Sequence, residues 1–306
     1  MPKRIEVESD EQWHAMRSMT IGASESSAIM GLNPWESRTS LYLRKTGQTP
    51  PSPTNSRMDW GNKLEPLVLD WFTEYTNIPS KANGKTLYLH DDFDFISCTP
   101  DGMTEDDSCG IEIKTASGFG VQKWDMGVPE YYYCQVQHQM MIMDHWKMVY
   151  VPVLLNGSEP RVYEIQRDEP FIDWLRDSVV EFWAMIEAGI APDMDGSEVT
   201  AKALAAAYSP VPDKEAEIGF DAPSLIADRA VLVDQIKTLE AAKGSIENQL
   251  KQELGDATVG MYEGKKVCTW KVQESSRLDI QGLRAAHPDL AAKFTSKSSI
   301  RVLRVY

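Results

Sequence analysis

The sequence predicts an α/β protein, a mixed central sheet flanked by helices, with a C-terminal α+β appendage. Three observations carry this. Short alternating apolar runs (86–90, 93–99 and 111–115) sit between segments of helical periodicity, as in a sheet covered by helices. Two further runs, 147–155 and 161–167, bracket Asn156-Gly157, a pair that favours a tight hairpin turn. A Pro-containing acidic stretch, Ser209 to Gly219, then leads into a long apolar rhythm of three/four spacing. The expected organisation is a core domain over residues 1–196 and an appendage over residues 197–306.

The elements follow in order. Ser9-Asp10-Glu11-Gln12 has the S-x-x-Q form of a capping box and opens a helix carrying Trp13, Met16 and Met19 inward. Ser24 can cap a second helix, 25–30, closed by Gly31. A third helix, 37–45, stops at Gly47, and an exposed Pro/Thr/Ser loop covers 48–55. Residues 58–75 form an amphipathic helix with Leu64, Leu67, Val68, Trp71 and Phe72 on one face, and Glu65 beside that stripe. After the first three strands, 118–127 is loop-like and 129–144 helical, with Tyr131, Cys134, Met141 and Ile142 lining its buried side. That helix is rich in glutamine, a composition that by itself suits a solvated face; an inward Gln135, about one turn from Tyr131, is the alternative. A long helix, 169–187, presents Phe171, Trp174, Leu175, Val179, Phe182 and Ile186 at helical spacing.

Beyond 189–196, a connector, comes an Ala-rich helix over 200–208. Leu225, Leu232, Ile236, Leu239, Ile246 and Leu250 then form a short coiled-coil-like seam, interrupted by Arg229 and Lys243 and expected to pack within the chain. A hairpin turned by Glu263-Gly264, a helical stretch through Leu290 and a last strand over 300–306 complete the appendage.

Composition narrows the function. With 306 residues and 42% hydrophobic content, the chain can bury a large core. No apolar run approaches the ~18 residues of a membrane span, so no membrane partner is expected. The N-terminal M-P-K-R-I-E-V-E-S-D lacks the apolar centre of a secretory signal. Four cysteines without C-x-x-C spacing argue against a zinc knuckle or disulfide framework, and a reducing cytoplasm is the expected compartment. A net charge of −15 argues against a generic nucleic-acid coat. It does not exclude DNA: through Lys85 ten basic residues balance ten acidic ones, and the acidic surplus lies downstream.

The chemistry concentrates between Cys98 and Lys114, C-T-P-D-G-M-T-E-D-D-S-C-G-I-E-I-K. Successive strand side chains alternate in face, so Glu112 and Lys114 project together, and a hairpin would bring Asp101 beside Glu112. Two carboxylates suit Mg²⁺, which keeps several waters for a phosphate substrate. A lysine there can orient or deprotonate a water and favour an anionic transition state. The motif alone is weak, since Glu263-Gly264-Lys265 repeats E-x-K without a Pro-Asp at hairpin distance. Upstream, Ser24 follows two small residues, and Arg17 stands seven positions earlier; free helix N–H groups, a hydroxyl and a guanidinium would make an anion seat, and the alternative is that Ser24 is only an N-cap and Arg17 a surface residue.

Five motifs in this order, R-(x)6-S at Arg17 and Ser24, G-N-K-L-E ending at Glu65, P-D-G at Asp101, E-I-K-T from Glu112 and Y-Y-Y-C-Q-V-Q through Gln135, resemble the YqaJ-like viral recombinase family. The resemblance covers about Trp13 to Ala188 and extends to phage lambda-type alkaline exonucleases of the PD-(D/E)XK superfamily. It implies a restriction-endonuclease-like core, with Asp101, Glu112 and the Ile113 backbone carbonyl as ligands of Mg²⁺, or of Mn²⁺ in its place. It further implies that Lys114 serves the nucleophilic water, Glu65 and Gln135 complete the site, and Arg17 and Ser24 receive the 5′-terminal phosphate. The implied activity is 5′-to-3′ digestion of one strand of linear double-stranded DNA, leaving a 3′ overhang. A homotrimeric ring, a single-strand annealing protein as partner, and a phage or prophage origin in bacterial cytoplasm are implied with it. The region beyond Gly189 has no counterpart in the compact members, and a role in assembly or partner docking is expected for it. Two other readings stay open: a non-catalytic DNA-end-binding adaptor, against which the intact Asp101, Glu112 and Lys114 weigh, and an endonuclease of the same superfamily.

Overall fold

The computed structural model describes residues 2–51, 55–212, 214–296 and 301–305. The chain divides into two units, Met1–Pro210 and Val211–Tyr306. In the first unit the order is β1 (Lys3–Ile5), α1 (Asp10–Ser18), β2 (Ile21–Gly22), α2 (Ala23–Ile29), α3 (Arg38–Lys45), α4 (Ser56–Thr76), β3 (Ser80–Ala82), β4 (Leu87–Leu89), β5 (Ile96–Cys98), β6 (Gly102–Thr104), β7 (Gly110–Ile111) and β8 (Lys114–Ala116). A 3-10 helix (Gly118–Trp124) follows, then α5 (Glu130–Ile142), β9 (Met148–Leu155), β10 (Glu159–Gln166), α6 (Glu169–Ala188) and α7 (Glu198–Ala207).

Two mixed sheets result, with strand orders β1-β4-β5-β2 and β10-β9-β7-β6-β3, and β8 also paired with β9. The expected fold class therefore stands, but it is built from shorter strands. The chain crosses between the sheets from β5 to β6, through Thr99, Pro100 and Asp101. β9 and β10 form the expected hairpin, with Asn156 and Gly157 at φ of 50° and 74°, as a tight primed turn requires.

α5 is the centre of the unit. Cys134, Val136, Met140, Met141 and Ile142 are buried, and so are Gln137, His138 and Gln139. Solvation does not explain this helix: Gln137, His138 and Gln139 each make at least one fixed hydrogen bond, although His138 Nδ1 and Gln139 Oε1 find no partner among the described residues. Gln137 donates to the Gln166 carbonyl (2.8 Å) and accepts from the Asp168 amide (3.0 Å). On the second sheet, α4 lays Val68, Leu69 and Phe72 over Ile111 and Ile113.

Some expected apolar faces differ. Met19, Leu67 and Trp174 are exposed rather than inward. Met19 caps α1 instead of lying within it, and the α4 stripe turns through Val68 and Leu69 past Leu67. α7 belongs to the first unit, not to the appendage, because buried Thr200 shares a 2.6 Å hydrogen bond with the Ser37 hydroxyl that caps α3.

The second unit comprises α8 (Ala222–Leu254), the hairpin β11 (Val259–Tyr262) and β12 (Lys265–Thr269), α9 (Ile280–Ala286) and α10 (Pro288–Lys293). Its hairpin turns at Glu263-Gly264 as expected, at φ of 49° and 76°. α8 has no buried residue, so its apolar seam is not packed within the chain as expected. Residues 301–305 form no strand, and Ile300 and Tyr306, the ends of that expected strand, lie outside the described residues, as do 52–54 of the expected loop and Asp213 of the acidic stretch. Among the described residues no helix is long and apolar enough to cross a membrane. All four cysteines are free.

Candidate active site

The site is built where one rung of the sheet is missing. β7 and β8 run parallel to β9 in one register, Ile111 opposite Tyr150 and Lys114 opposite Val153. The Glu112 amide donates to the Tyr150 carbonyl at 2.9 Å. The next rung would come from the amide of residue 152, which is proline and has none. The ladder lapses at Glu112 and Ile113, which is why the expected single strand is two. In-plane groups alternate along a strand, so the Ile113 amide and carbonyl face away from β9. On that side the amide donates to Asp101 Oδ2 at 2.7 Å. The β6–β7 hairpin pairs Gly102 with Ile111 and so sets Asp101 beside Glu112; the 93–99 run, the expected partner of that hairpin, is β5 of the other sheet instead.

Gly102 lets β3 and α4 pack closely against the residue that follows Asp101. A Cβ there would sit 3.0 Å from the Lys81 carbonyl and 3.4 Å from Leu69 of α4. At Gly61, one turn before Glu65, a Cβ would lie 4.0 Å from Thr115 of β8. α4 thus approaches β8 near Gly61, and half-buried Glu65 feels the charges of Lys114 and Glu112.

Glu112 is buried, and its carboxylate is held by three donors. Lys114 Nζ and Gln135 Nε2 (2.5 Å) donate to Oε1, and Gln139 Nε2 (2.5 Å) donates to Oε2. The Lys114 ammonium also lies 4.9 Å from the Tyr132 ring centre. The sequence pointed to Gln135 and missed Gln139, although a spacing of four places both on one helix face.

Charge is unbalanced here. Burial first, then the Glu112 and Glu65 charges, push the Asp101 carboxyl well above its ordinary pKa, against the opposing pull of Lys114 and the Ile113 amide. Burial also raises Glu65. On Lys114 burial works against the charge, but Glu112 and Asp101 outweigh it and raise its pKa. Carboxylates strained toward protonation beside one ammonium are what a divalent cation relieves. A carboxylate offers about four lone-pair sites, and three donors leave Glu112 roughly one, on Oε2. With Asp101 and the outward Ile113 carbonyl, that is an oxygen donor set for a hard cation that retains waters. Among the described residues there is no group of three or more His, Cys, Asp or Glu arranged to hold a metal by themselves.

The second cluster lies at the joined ends of α1 and α2. Ser24 does not cap α2; Gly22 does, and its amide donates to Glu25 Oε2 at 2.8 Å. The Ser24 hydroxyl is left exposed and accepts from Arg17 Nη2 at 2.9 Å. Arg17 stacks 4.5 Å from the Trp13 ring centre. Beneath them sits an ionic network the sequence did not reveal. Arg44 (2.9 Å) and Lys45 (2.8 Å) both pair with buried Glu25, and Arg44 also pairs with Glu36 (2.9 Å). Lys45 Nζ reaches the carbonyls of Arg17 (2.7 Å) and Thr20 (2.5 Å) at the end of α1. The two clusters meet through α5, where Cys134, next to Gln135, lies 3.5 Å from the Ser26 hydroxyl of α2.

The two mixed sheets, the Pro-Asp bend between them and the Glu112–Lys114 stretch at the break between β7 and β8 form an α/β core of the PD-(D/E)XK fold. Residues 12–145 match the YqaJ-like viral recombinase domain. The chain is 31% identical over 306 residues to the uncharacterized protein YqaJ of Bacillus subtilis (strain 168), covering 98% of this chain and 95% of that one. It belongs to the YqaJ-like viral recombinase family. Among solved structures it resembles the alkaline exonuclease LHK-Exo from Laribacter hongkongensis, at a TM-score of 0.50 and 22% identity over 58% of this chain and 93% of that one. The complex of LHK-Exo with dAMP gives a TM-score of 0.50 at 23% identity, with the same shares covered.

Proposed function

We propose that this protein is a Mg²⁺-dependent exonuclease that digests one strand of linear double-stranded DNA from its 5′ end, leaving 3′ overhangs for phage-type recombination. One observation carries the reading: Asp101, Glu112, Glu65 and Lys114 converge, with the Glu112 carboxylate clamped by Gln135 and Gln139. Asp101, Glu112 and the Ile113 carbonyl would hold the ion, and Mn²⁺ can stand in for Mg²⁺. When bound, the ion neutralises charge on the phosphodiester and makes a water more acidic. Lys114 orients the water and faces the charge that develops on the phosphate. Glu65 adds a carboxylate from α4, and Gln135 fixes the direction of Glu112. Arg17 and Ser24 anchor the 5′-terminal phosphate, so that one bond at a time is presented and digestion has a direction. Contacts to other phosphates hold the duplex without reading its sequence.

The same reading gives the protein a homotrimeric ring, a single-strand annealing protein that receives the 3′ strand, and a place in the cytoplasm of a bacterium carrying the phage or prophage. The second unit would serve assembly or docking; truncation after Pro210 that leaves oligomer size and annealing-protein binding intact would refute this part.

The test is digestion of linear duplexes bearing 5′-phosphate or 5′-hydroxyl, beside a closed circle, with Mg²⁺ or EDTA. The expected result is loss of linear DNA only, dependence on Mg²⁺, an inactive Lys114→Ala, and an Arg17→Ala that no longer prefers the phosphate. Binding of ends without digestion would make the protein an adaptor. Cutting of the circle would make it an endonuclease.

A further inference from the structure

One group of side chains beside the carboxylates has no part in the scheme above. Trp35, in the loop between α2 and α3, is 63% exposed yet fixed in place. The Asn33 side chain accepts from the amides of Trp35 (2.8 Å) and Glu36 (3.1 Å) and donates to the Ser27 hydroxyl (3.2 Å). The indole meets Tyr131 of α5 edge to face, with ring centres 5.0 Å apart. Lys123 stands 5.5 Å from both ring centres, so a cation lies within attractive reach of both rings.

The ledge is joined to the active site. Tyr131 lies one helical turn before Gln135 and two before Gln139, on the stripe of α5 that holds Glu112. Its neighbour Tyr132 is 4.4 Å away, ring centre to ring centre, and carries Lys114 on its face at 4.9 Å. From Lys114 to Trp35 the path thus runs from ring to ring and ends at an exposed indole with an ammonium beside it. Aromatic faces beside cations are how proteins hold unpaired nucleotides, the face taking the base and the cation the phosphate.

Resting on the nuclease reading, we propose that Trp35, Tyr131 and Lys123 form a subsite for one unpaired nucleotide of the strand being digested. The base stacks on the exposed Trp35 indole, which Tyr131 braces edge-on, and the adjoining phosphate faces Lys123.

The test uses the full-length protein and a 5′-phosphorylated linear duplex with Ca²⁺ in place of Mg²⁺. 2-Aminopurine is placed in turn at each of the first 5′ positions. At one position its fluorescence is expected to be brighter in the Trp35→Ala complex than in the wild-type complex, with Trp35→Phe close to wild type. Trp35→Ala should bind the end about tenfold more weakly. An abasic residue at the same position should cost wild type a similar factor and cost Trp35→Ala nothing further. Equal fluorescence in all three proteins, or abasic and Trp35→Ala losses that simply multiply, overturns the subsite. Loss of self-association or annealing-protein binding in Trp35→Ala, with every DNA readout unmoved, makes the ledge a protein contact and also overturns it. Hydrolysis in Mg²⁺ is scored in parallel. If linear DNA survives while the Trp35-dependent signal holds, the nuclease reading falls alone; if digestion proceeds and the signal is absent, the subsite falls alone.

Discussion

Replacing Lys45 by methionine tests whether the proposed 5′-phosphate seat at Arg17 and Ser24 is held from below. The Lys45 side chain is only 2% exposed, and its ammonium ties the last carbonyls of α1 to Glu25 in the first turn of α2. Burial works against both charges of this pair. On Glu25 the nearby Lys45, Arg44 and Arg17 overcome it and its pKa is lowered, whereas on Lys45 burial prevails and its pKa falls as well. Such a pair adds little net stability, but removing one partner strands the other, at a cost of roughly 3–5 kcal/mol. Glu25 would keep Arg44 at 2.9 Å and the Gly22 amide at 2.8 Å, which places the expected loss at the low end. About 3 kcal/mol corresponds to a fall in Tm of about 6–12 °C for a unit of this size.

The functional consequence differs from general destabilisation. With the carbonyls of Arg17 and Thr20 released, Arg17 and Ser24 lose their fixed separation, while Asp101, Glu112 and Lys114 keep every contact described for them. Well below the new Tm, the Lys45→Met protein should digest 5′-hydroxyl duplexes at a rate near wild type. Its preference for 5′-phosphate ends should shrink toward unity. The assay is thermal denaturation together with the ratio of initial rates on the two ends. A Tm within 1–2 °C of wild type, or an unchanged phosphate preference in the destabilised protein, would refute the reasoning.

Three other outcomes are expected. Gly102→Ala pushes a methyl against the Lys81 carbonyl at 3.0 Å, so it should cost about 1–3 kcal/mol by denaturant unfolding and slow digestion by displacing Asp101. Gln139→Leu removes the donor to Glu112 Oε2 and should lower turnover on linear DNA with little change in end binding; equal turnover would show that Gln135 suffices. Burial lowers the pKa of His138 to about 4, so the folded state holds it neutral. The unfolded imidazole, near 6.5, binds its proton more readily, so this contribution is whole above pH 6.5 and is lost as pH falls toward 4, by roughly 3 kcal/mol. His138→Gln should therefore show a shallower loss of Tm between pH 7 and pH 4.5 than wild type; parallel curves would count against it.

The fold class was legible because it rests on periodicity, which survives without coordinates: the β9–β10 hairpin and α6 follow from Asn156-Gly157 and a clear apolar stripe. β1, β2, β3 and β6 were not legible: they are two or three residues long and, unlike the equally short β4, β5, β7 and β8, were not marked by an alternating apolar run. The nearness of Asp101 and Glu112 was legible, but the strand that brings it about, β6, was not, and neither was the break between β7 and β8. Its cause, Pro152, is distant in sequence, and only the register brings it opposite Ile113. The glutamines of α5 were misweighed for a similar reason. Composition prices a glutamine as solvated, and only the Glu112 carboxylate across the sheet makes burial of Gln139 affordable.

The polar content of α5 has one physical explanation that covers both clusters. Along this buried helix, Gln135 and Gln139 hold the Glu112 carboxylate, while Cys134 meets Ser26 of α2, the helix whose second residue is Ser24. One turn after Cys134, His138 Nε2 bonds the Ser97 carbonyl at 3.1 Å, in the strand that leads to Asp101. An apolar helix could fill the same space but would set none of these positions, because dispersion contacts tolerate sliding where short hydrogen bonds do not. If the seat at Arg17 and Ser24 holds the 5′ end while Asp101 and Glu112 act on a phosphodiester, the separation of the two clusters determines which bond is cut. α5 is the element bonded to both sides of that interval, and its buried glutamines and histidine are the means by which the interval is kept.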